Sequence, residues 1–128
     1  MRHARHYTLE EARGLLPWVA ATIAAMRDAR ERLTDAETRE ALSGAAAGNG
    51  GGAHGRDVGE AFVTLRAGVA EFEEREIVLR DLDRGLIDFP SLRDGHEVYL
   101  CWEEGEQEIG FWHEPEAGYG GRRPLDDG

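Results

Sequence analysis

The fold of this chain is decided by the stretch HEVYLCWEEGEQEIGFWH, residues 96–113. Apolar and polar side chains alternate on both sides of a central Glu-Gly pair, a pattern typical of two strands that each bury one face. A two-residue turn at 104–105 would bring both apolar sets to the same face of a sheet, as the pleat requires. The predicted pairs are Leu100 with Ile109 and Val98 with Phe111.

The alternation of apolar residues begins upstream of this hairpin, at residue 76. Two short apolar runs, at 77–79 and 86–89, flank Asp83-Arg84-Gly85, and a glycine at the end of such a segment is typical of a turn. Together with the hairpin, these runs predict an antiparallel β meander of about four strands over residues 76–114. Residues 115–128 are expected to form an irregular tail.

The first half of the chain has the period of a helix instead. Thr8 and Glu11 have the spacing of a capping box, in which each side chain binds the other's backbone N–H, and the apolar residues that follow recur in steps of three and four. A helix is predicted over residues 8–42, with a kink near Pro17 because proline cannot donate to the carbonyl four residues earlier. A second stripe of the same kind predicts a helix over residues 57–75.

Residues 43–56 lie between the two helices and include Gly48-Asn49-Gly50-Gly51-Gly52. Glycine at this density loses much backbone entropy on ordering, which predicts a flexible connector. Two amphipathic helices joined in this way form an antiparallel helical hairpin. The predicted fold class is therefore α+β, a single domain over residues 1–128 in which the hairpin packs against the meander.

The apolar stripes of the hairpin have the heptad-like spacing of a coiled coil. One hairpin leaves part of these stripes uncovered, because the meander is small. We therefore expect a homodimer that forms through the helical hairpin.

The charge of the chain is unevenly distributed. Its 15 cations are all arginine, and the formal net charge is −11. Residues 1–70 are balanced, whereas 71–128 hold seventeen acids and six arginines, which amounts to −11. This excess argues against nucleic acid and anionic membranes as partners and favours a cationic protein segment or a small ligand on an acidic β surface. Arg122 and Arg123 either neutralise nearby carboxylates, the preferred interpretation, or form an anion-binding fork.

A cytoplasmic location is expected from the cysteine content and the hydropathy. Cys101 is the one cysteine, which excludes an internal disulfide and suits a reducing compartment. No apolar run approaches the roughly 18–20 residues of a membrane span. The basic N-terminal arm, residues 1–7, lacks an apolar signal core, and its His3 and His6 are expected to face solvent.

A metal site is one candidate for chemistry. The hairpin register places His96 opposite His113, and paired positions of this kind lie about 5 Å apart between Cβ atoms. Two imidazoles could share a divalent ion with Asp88 or Glu114 as an oxygen ligand. The alternative is a pair of ordinary strand-end histidines. Because no spacing fixes a third ligand, neither a metal nor another cofactor is assigned.

Acid/base chemistry is a second candidate, at residues 111–114. A histidine between a tryptophan and a carboxylate can act as a general base whose pKa is tuned by desolvation and charge. The simpler interpretation is that Trp112 covers the sheet and Glu114 ends the strand. Cys101 lies on the face opposite Leu100 without a basic sequence neighbour, so a buried, inert thiol is favoured over a nucleophile.

Several stretches together form a joint pattern that covers most of the chain apart from the connector. They are Tyr7–Ala12 with Leu15–Trp18, Asp81–Pro90, Val98–Trp102, Trp112–Glu114 with Gly118-Tyr119, and Gly121–Leu125. This pattern resembles an uncharacterised prokaryotic family, domain-of-unknown-function family 2203. The resemblance implies no activity, substrate or cofactor. Members of that family carry arginine more often than histidine at the position of His96, which argues against a two-histidine metal site.

The stretches that carry the resemblance cluster in the acidic β half. We therefore predict a binding pocket near Asp88, Trp102, His113, Glu114 and Arg122. The preferred function is a small cytoplasmic oligomeric module that binds or regulates a partner through its acidic β surface. The alternative is a small metal-dependent or acid/base enzyme that uses His113 and Glu114. The sequence alone does not decide whether the protein is an enzyme.

Overall fold

The computed structural model describes residues 1–43 and 52–125. Helix α1 (Leu9–Ser43) and helix α2 (Gly52–Glu74) are followed by a five-stranded antiparallel sheet. The strands are adjacent in chain order: β1 (Val78–Asp81), β2 (Leu86–Arg93), β3 (His96–Glu103), β4 (Phe111–His113) and β5 (Arg123–Pro124). The predicted α+β class, two packed helices followed by an antiparallel meander, is confirmed, with five strands where about four were predicted.

Helix α1 begins with the predicted capping box. The Thr8 N–H donates to Glu11 Oε1 at 2.8 Å, and the Glu11 N–H donates to Thr8 Oγ1 at 3.1 Å. Pro17 lies inside this helix, which continues past it as one element to Ser43. The kink expected near Pro17 stays a prediction.

Helix α2 begins earlier than predicted, at Gly52 rather than at residue 57. A glycine in a helix costs only about 1 kcal/mol relative to alanine, and once a helix has nucleated, each added residue gains a hydrogen bond that offsets this cost. The C-terminal part of the predicted connector 43–56 is therefore helical. Residues 44–51, which contain most of its glycines, lie outside the described residues.

The chain divides into two compact units. The first contains Met1–Ala21 and Glu71–Gly128, and the second contains Thr22–Ala70. The core of the first includes Val19, Phe72, Ile87, Phe89 and Ile109, and that of the second includes Ile23, Met26, Ala29 and Ala61. Neither helix, over the described residues, combines the length and the apolar character needed to span a bilayer.

Strands β2 and β3 are joined by Asp94-Gly95, a turn that was not predicted. Both residues have positive φ, 53° and 81°, as a two-residue type I′ hairpin turn requires. The turn pairs Arg93 with His96 and fixes the register of the whole β2–β3 ladder, including the pair Asp88 and Cys101.

The predicted register of the next hairpin is wrong. Leu100 pairs with Trp112 and Cys101 with Phe111, so His96 does not lie opposite His113. Residues 103–106 form a local turn in which the Glu106 N–H donates to the Glu103 carbonyl at 3.0 Å and the Glu106 carboxylate accepts the Glu103 N–H at 2.8 Å. A longer connection follows, and β4 begins only at Phe111.

The tail over residues 115–128, predicted to be irregular, contains a 3-10 turn and the fifth strand in its described part, residues 115–125. Gly118 has a φ of 65° and precedes the turn Tyr119–Gly121. Strand β5 then pairs with β4, and the Leu125 N–H donates to the Gly110 carbonyl at 2.9 Å. A two-residue strand that ends in proline has no alternation of its own, which is why the sequence pattern did not predict it.

Candidate functional site

Three potential metal-ligating side chains converge on one face of the sheet. Asp88 on β2 is paired with Cys101 on β3, and His113 on β4 is paired with Tyr99, two residues from Cys101. Because paired residues share a face and alternate residues return to it, all three side chains point to the same side. One ligand atom from each lies within 4.8 Å of the others. All three are buried, with exposed fractions of 1–2%.

Both ring nitrogens of His113 are engaged. Nδ1 lies 2.7 Å from the Glu114 carbonyl oxygen, which can only accept, so Nδ1 carries a proton. Nε2 lies 3.0 Å from Asp88 Oδ2. Burial by itself would lower the pKa of His113, but the hydrogen bonds to Asp88 and Glu114 outweigh it and the pKa is raised. The raised pKa favours the protonated ring, in which Nε2 donates to the Asp88 carboxylate.

Arg80 approaches the same carboxylate from β1. Leu79 pairs with Ile87 and Asp81 with Leu86, which leaves Arg80 as the extra residue of a β-bulge. Its Nε donates to Asp88 Oδ2 at 2.8 Å. Burial would raise the pKa of Asp88, but the hydrogen bonds from His113 and Arg80 lower it. Asp88 is therefore a carboxylate although it is buried.

The other oxygen of this carboxylate is unusual. Asp88 Oδ1 is buried and accepts no N–H or O–H hydrogen bond from the described residues, and its neighbour is the Cys101 thiol, whose hydrogen bond to Asp88 is one of the causes that raise the pKa of that thiol. An unsatisfied buried polar atom costs about 1–3 kcal/mol, so such an atom calls for an explanation, and an ion that is not part of the protein is one. Burial and the neighbouring Asp88 charge raise the pKa of the Cys101 thiol to about 12. Cys101 is buried, as predicted.

The cluster opens into a cavity of about 240 Å³. Besides the three cluster residues, its wall includes Arg80, Leu86, Pro115, Glu116 and Tyr119. The segment that follows β4 thus forms the outer wall. A small ligand in this cavity would contact the cluster directly.

The predicted pocket residues lie in different places. Asp88 and His113 are brought together, whereas Glu114 contributes its carbonyl and has an exposed side chain. Trp102, two residues from Leu100 on β3, lies on the opposite face of the sheet, and its indole N–H donates to the Glu106 carbonyl at 3.1 Å. Arg122 pairs with the Glu106 carboxylate at 2.6 Å. Whether these residues form one binding pocket stays a prediction.

Cys101 and Arg80 belong to the arrangement but were not in the predicted pocket. Cys101 could have been predicted from Asp94-Gly95. A two-residue turn at these positions pairs residue 93 with 96, and the same register pairs residue 88 with 101. Arg80 had no such signal, since its position depends on the bulge. His96 is exposed beside the Asp94-Gly95 turn, opposite Arg93, so the reason for placing it with His113 is lost.

The N-terminal arm, residues 1–7, is bound to the sheet half, and the expectation that its histidines face solvent is wrong. Glu97 accepts the backbone N–H groups of Arg2 at 2.8 Å and His3 at 3.0 Å, and it contacts His6 Nε2 at 2.8 Å. His3 also lies 2.7 Å from the Tyr99 hydroxyl and 3.1 Å from Glu76. Local composition did not predict these contacts because both carboxylates are distant in sequence.

The acidic side chains of the sheet half make many ion pairs within the chain. The pairs are Glu103 with Arg84 at 2.8 Å, Glu106 with Arg122 at 2.6 Å, Glu108 with Arg13 at 2.8 Å and Asp88 with Arg80 at 2.8 Å. Arg122 therefore neutralises a carboxylate, in line with the preferred interpretation. The negative surface open to a partner is smaller than the net charge suggests.

Comparison with known proteins gives a family but no relative of known activity. A family model described as "Uncharacterized conserved protein (DUF2203)" matches residues 5–125. No curated protein and no solved structure matches the chain.

Proposed function

The chain belongs to the uncharacterized conserved family DUF2203, and from the geometry of its buried cluster we propose that it binds a divalent transition-metal ion of the zinc type. The ligands are Asp88, Cys101 and His113. The observation that carries the proposal is the convergence of a carboxylate, a thiol and an imidazole within 4.8 Å, all buried. The proposal shares His113 with the metal-dependent alternative predicted from the sequence, but its other ligands are Asp88 and Cys101 and not Glu114 or His96.

The donor set fits such an ion. Sulfur, nitrogen and carboxylate oxygen are the atoms that bind zinc in proteins, and sites with three protein ligands keep a fourth position open. The thiolate and the carboxylate together carry two negative charges, one of which Arg80 already offsets by its ion pair with Asp88 at 2.8 Å. Asp88 Oδ1, which accepts no N–H or O–H hydrogen bond from the described residues, is the oxygen free to coordinate once Cys101 has lost its thiol proton.

The surroundings of His113 also fit. A metal-ligating histidine usually donates its other ring N–H to a carbonyl or carboxylate, which fixes the orientation of the ring, and the Glu114 carbonyl accepts from Nδ1 at 2.7 Å. Nε2 then exchanges its proton for the ion. Cys101 loses its thiol proton on binding as well, so metal uptake releases protons and strengthens with rising pH.

Acid/base catalysis by His113 without a metal has less support. A general base needs a ring nitrogen that can reach the substrate, and both nitrogens of His113 already contact protein oxygens. A bound ion with one open position toward the 240 Å³ cavity would instead supply Lewis-acid chemistry to a ligand there. Arg80 and Tyr119, in the cavity wall, are placed to orient that ligand.

The test is metal analysis of protein purified without a histidine tag, followed by titration of the metal-free protein with Co²⁺. Absorption from a cobalt–thiolate bond reports Cys101 directly. We expect one ion per chain, and in Cys101→Ser and Asp88→Asn we expect the affinity to fall by more than the roughly 10–100-fold that loss of an outer-shell partner costs. The controls His96→Ala and Glu114→Gln should bind as the wild type does. A folded wild-type protein without stoichiometric metal and without thiolate absorption would disprove the proposal.

A second candidate is the oligomeric binding module preferred from the sequence. It is supported by Phe62, Val63 and Val69 on α2, which are 52%, 65% and 42% exposed, because large apolar side chains at such exposure favour association. The proposed partner is a second copy of the hairpin. Sedimentation of the wild type and of Val63→Glu tests it, and a wild-type monomer at micromolar concentration would rule it out.

A further inference from the structure

A second cavity, of about 530 Å³, lies on the face of the sheet opposite the metal-ligand cluster. Its wall includes Val98 and Leu100 of β3 and Trp112 of β4, whose register positions alternate with those of Tyr99, Cys101 and His113. Leu9 at the start of α1 and Leu125 after β5 complete an apolar lining. All of these residues belong to the first compact unit.

The charged side chains of this cavity are arginines. Its wall contains His6, Arg13 and Arg93, and none of the described side chains that line it is a carboxylate. The chain as a whole has a net charge of −11, so the sign of the charge in this cavity is opposite to that of the chain. Its charge therefore favours an anion.

Arg93 is the cavity residue whose guanidinium N–H donors are the most available to a ligand. His6 contacts Glu97 at 2.8 Å and Arg13 pairs with Glu108 at 2.8 Å. Arg93, in contrast, makes no ion pair with the described residues, and its guanidinium lies 4.5 Å from the centre of the Trp112 ring. A guanidinium held against an aromatic face keeps its planar set of N–H donors for a carboxylate.

We propose that this cavity binds a small organic acid, with its carboxylate on Arg93 and its apolar body against Leu100, Val98 and Trp112. The volume lies within the range of cavities that hold small ligands, which are mostly apolar with a few placed polar groups. The ligand and the proposed metal ion occupy opposite faces of the sheet. This proposal is therefore independent of the proposed function.

Three probes separate the parts of the proposal: octanoate, octanol with the same body and no charge, and inorganic phosphate with charge and no body. Binding is followed by amide and indole shifts of ¹⁵N-labelled protein in solution. Octanoate should bind most tightly and shift the Trp112 indole and the amides of Ser91 to Arg93. If octanol binds as tightly as octanoate, the carboxylate contributes nothing and the cavity is only an apolar surface. If phosphate binds as tightly as octanoate, the apolar body contributes nothing and the cavity is only an anion site. Either result overturns the proposal.

Two variants of the same residue type give a matched comparison. A charge-assisted hydrogen bond corresponds to about a 10–100-fold change in affinity, so Arg93→Gln should weaken octanoate binding by about that factor. Arg123 also lies over the Trp112 ring, at 5.2 Å, but does not line the cavity, so Arg123→Gln should leave the affinity unchanged. An Arg93→Gln protein that binds octanoate as the wild type does would contradict the proposal.

Binding through a metal ion is a separate route for a carboxylate. The metal-free Cys101→Ser protein should therefore bind octanoate with wild-type affinity and shift the same resonances. Loss of octanoate binding in that variant, with shifts in the wild type near His113 instead of Trp112, would overturn this proposal while supporting the metal site.

Discussion

Glu97 binds the N-terminal arm to the sheet through hydrogen bonds. Its replacement by glutamine tests how much these hydrogen bonds contribute to the free energy of unfolding. The carboxylate accepts two backbone N–H groups, from Arg2 at 2.8 Å and His3 at 3.0 Å, and contacts His6 at 2.8 Å. Glutamine keeps one acceptor oxygen but loses the charge. Its amide NH₂ group is itself a donor and cannot accept the hydrogen bonds of the Arg2 and His3 N–H groups. We expect Glu97→Gln to loosen the arm and to lower the free energy of unfolding.

The size of the effect follows from the pKa. Burial would raise the pKa of Glu97, but the N–H donors of Arg2 and His3 and the contact with His6 lower it from 4.5 to about 2. A lowering of this size corresponds to about 3 kcal/mol of stabilisation of the charged form. The Glu97 side chain is 7% exposed, and partial screening by solvent reduces this to about 2 kcal/mol. One lost charge-assisted hydrogen bond, about 1.5–3 kcal/mol, gives the same magnitude.

The pH dependence has a definite sign. Because the folded pKa of Glu97 lies below the unfolded value of 4.5, the stabilisation is fully present above that pH and is lost as the pH falls toward 2. The free energy of unfolding of the wild type should therefore fall in this window more than that of Glu97→Gln. At neutral pH the two should differ by about 2 kcal/mol, and the difference should shrink as the solution is acidified.

The assay is urea denaturation followed by far-UV circular dichroism, at neutral pH and at several pH values below it. Glu116→Gln is the matched control, because Glu116 pairs with Arg2 at 3.5 Å but is 89% exposed, and such a pair contributes at most about 1 kcal/mol. The reasoning would be refuted by a neutral-pH difference below about 0.5 kcal/mol. A difference for Glu97→Gln that stays constant through the acidic window would refute the pKa argument.

Three further predictions use the same urea assay. Gly68→Ala places a Cβ 2.5 Å from the Cγ and Sδ of Met26 and should lower the free energy of unfolding by about 1–3 kcal/mol, whereas Gly59→Ala, with nothing within 4 Å, should raise it by up to about 1 kcal/mol. If both substitutions change the free energy of unfolding by the same amount, close packing against Met26 does not explain the effect at position 68. Thr8→Ala removes the helix cap and should cost about 1 kcal/mol, most of which Thr8→Ser should restore. Gly95→Ala, at a φ of 81°, should cost about 1–3 kcal/mol, and a neutral result would contradict the type I′ turn.

The strand pattern could be predicted from sequence, but its register could not. Alternation alone places Cys101 on the face opposite Leu100, and this is confirmed. The register depends on which Gly-containing turn closes a hairpin. Gly105 has a positive φ of 106°, yet the chain continues beyond it to Phe111 before pairing again, because the Glu103–Glu106 turn uses those backbone groups locally.

The candidate metal site was only half predictable for the same reason. Asp88 and His113 stand out as single residues, but their meeting with Cys101 requires the registers of two successive hairpins. Arg80 requires in addition a bulge in β1. Information of this kind lies in strand pairing and not in local residue pattern.

The division of the chain into two units has a consequence for the order in which the protein is made. Residues 22–70 are contiguous, so they can leave the ribosome together and pair by short-range contacts. The first unit joins residues 1–21 to residues 71–128, and the bond between Arg2 and Glu97 spans 95 positions. Residues 1–21 are therefore held in place only after the later part of their unit has been synthesised, and until then their apolar side chains are exposed to chaperones and can aggregate.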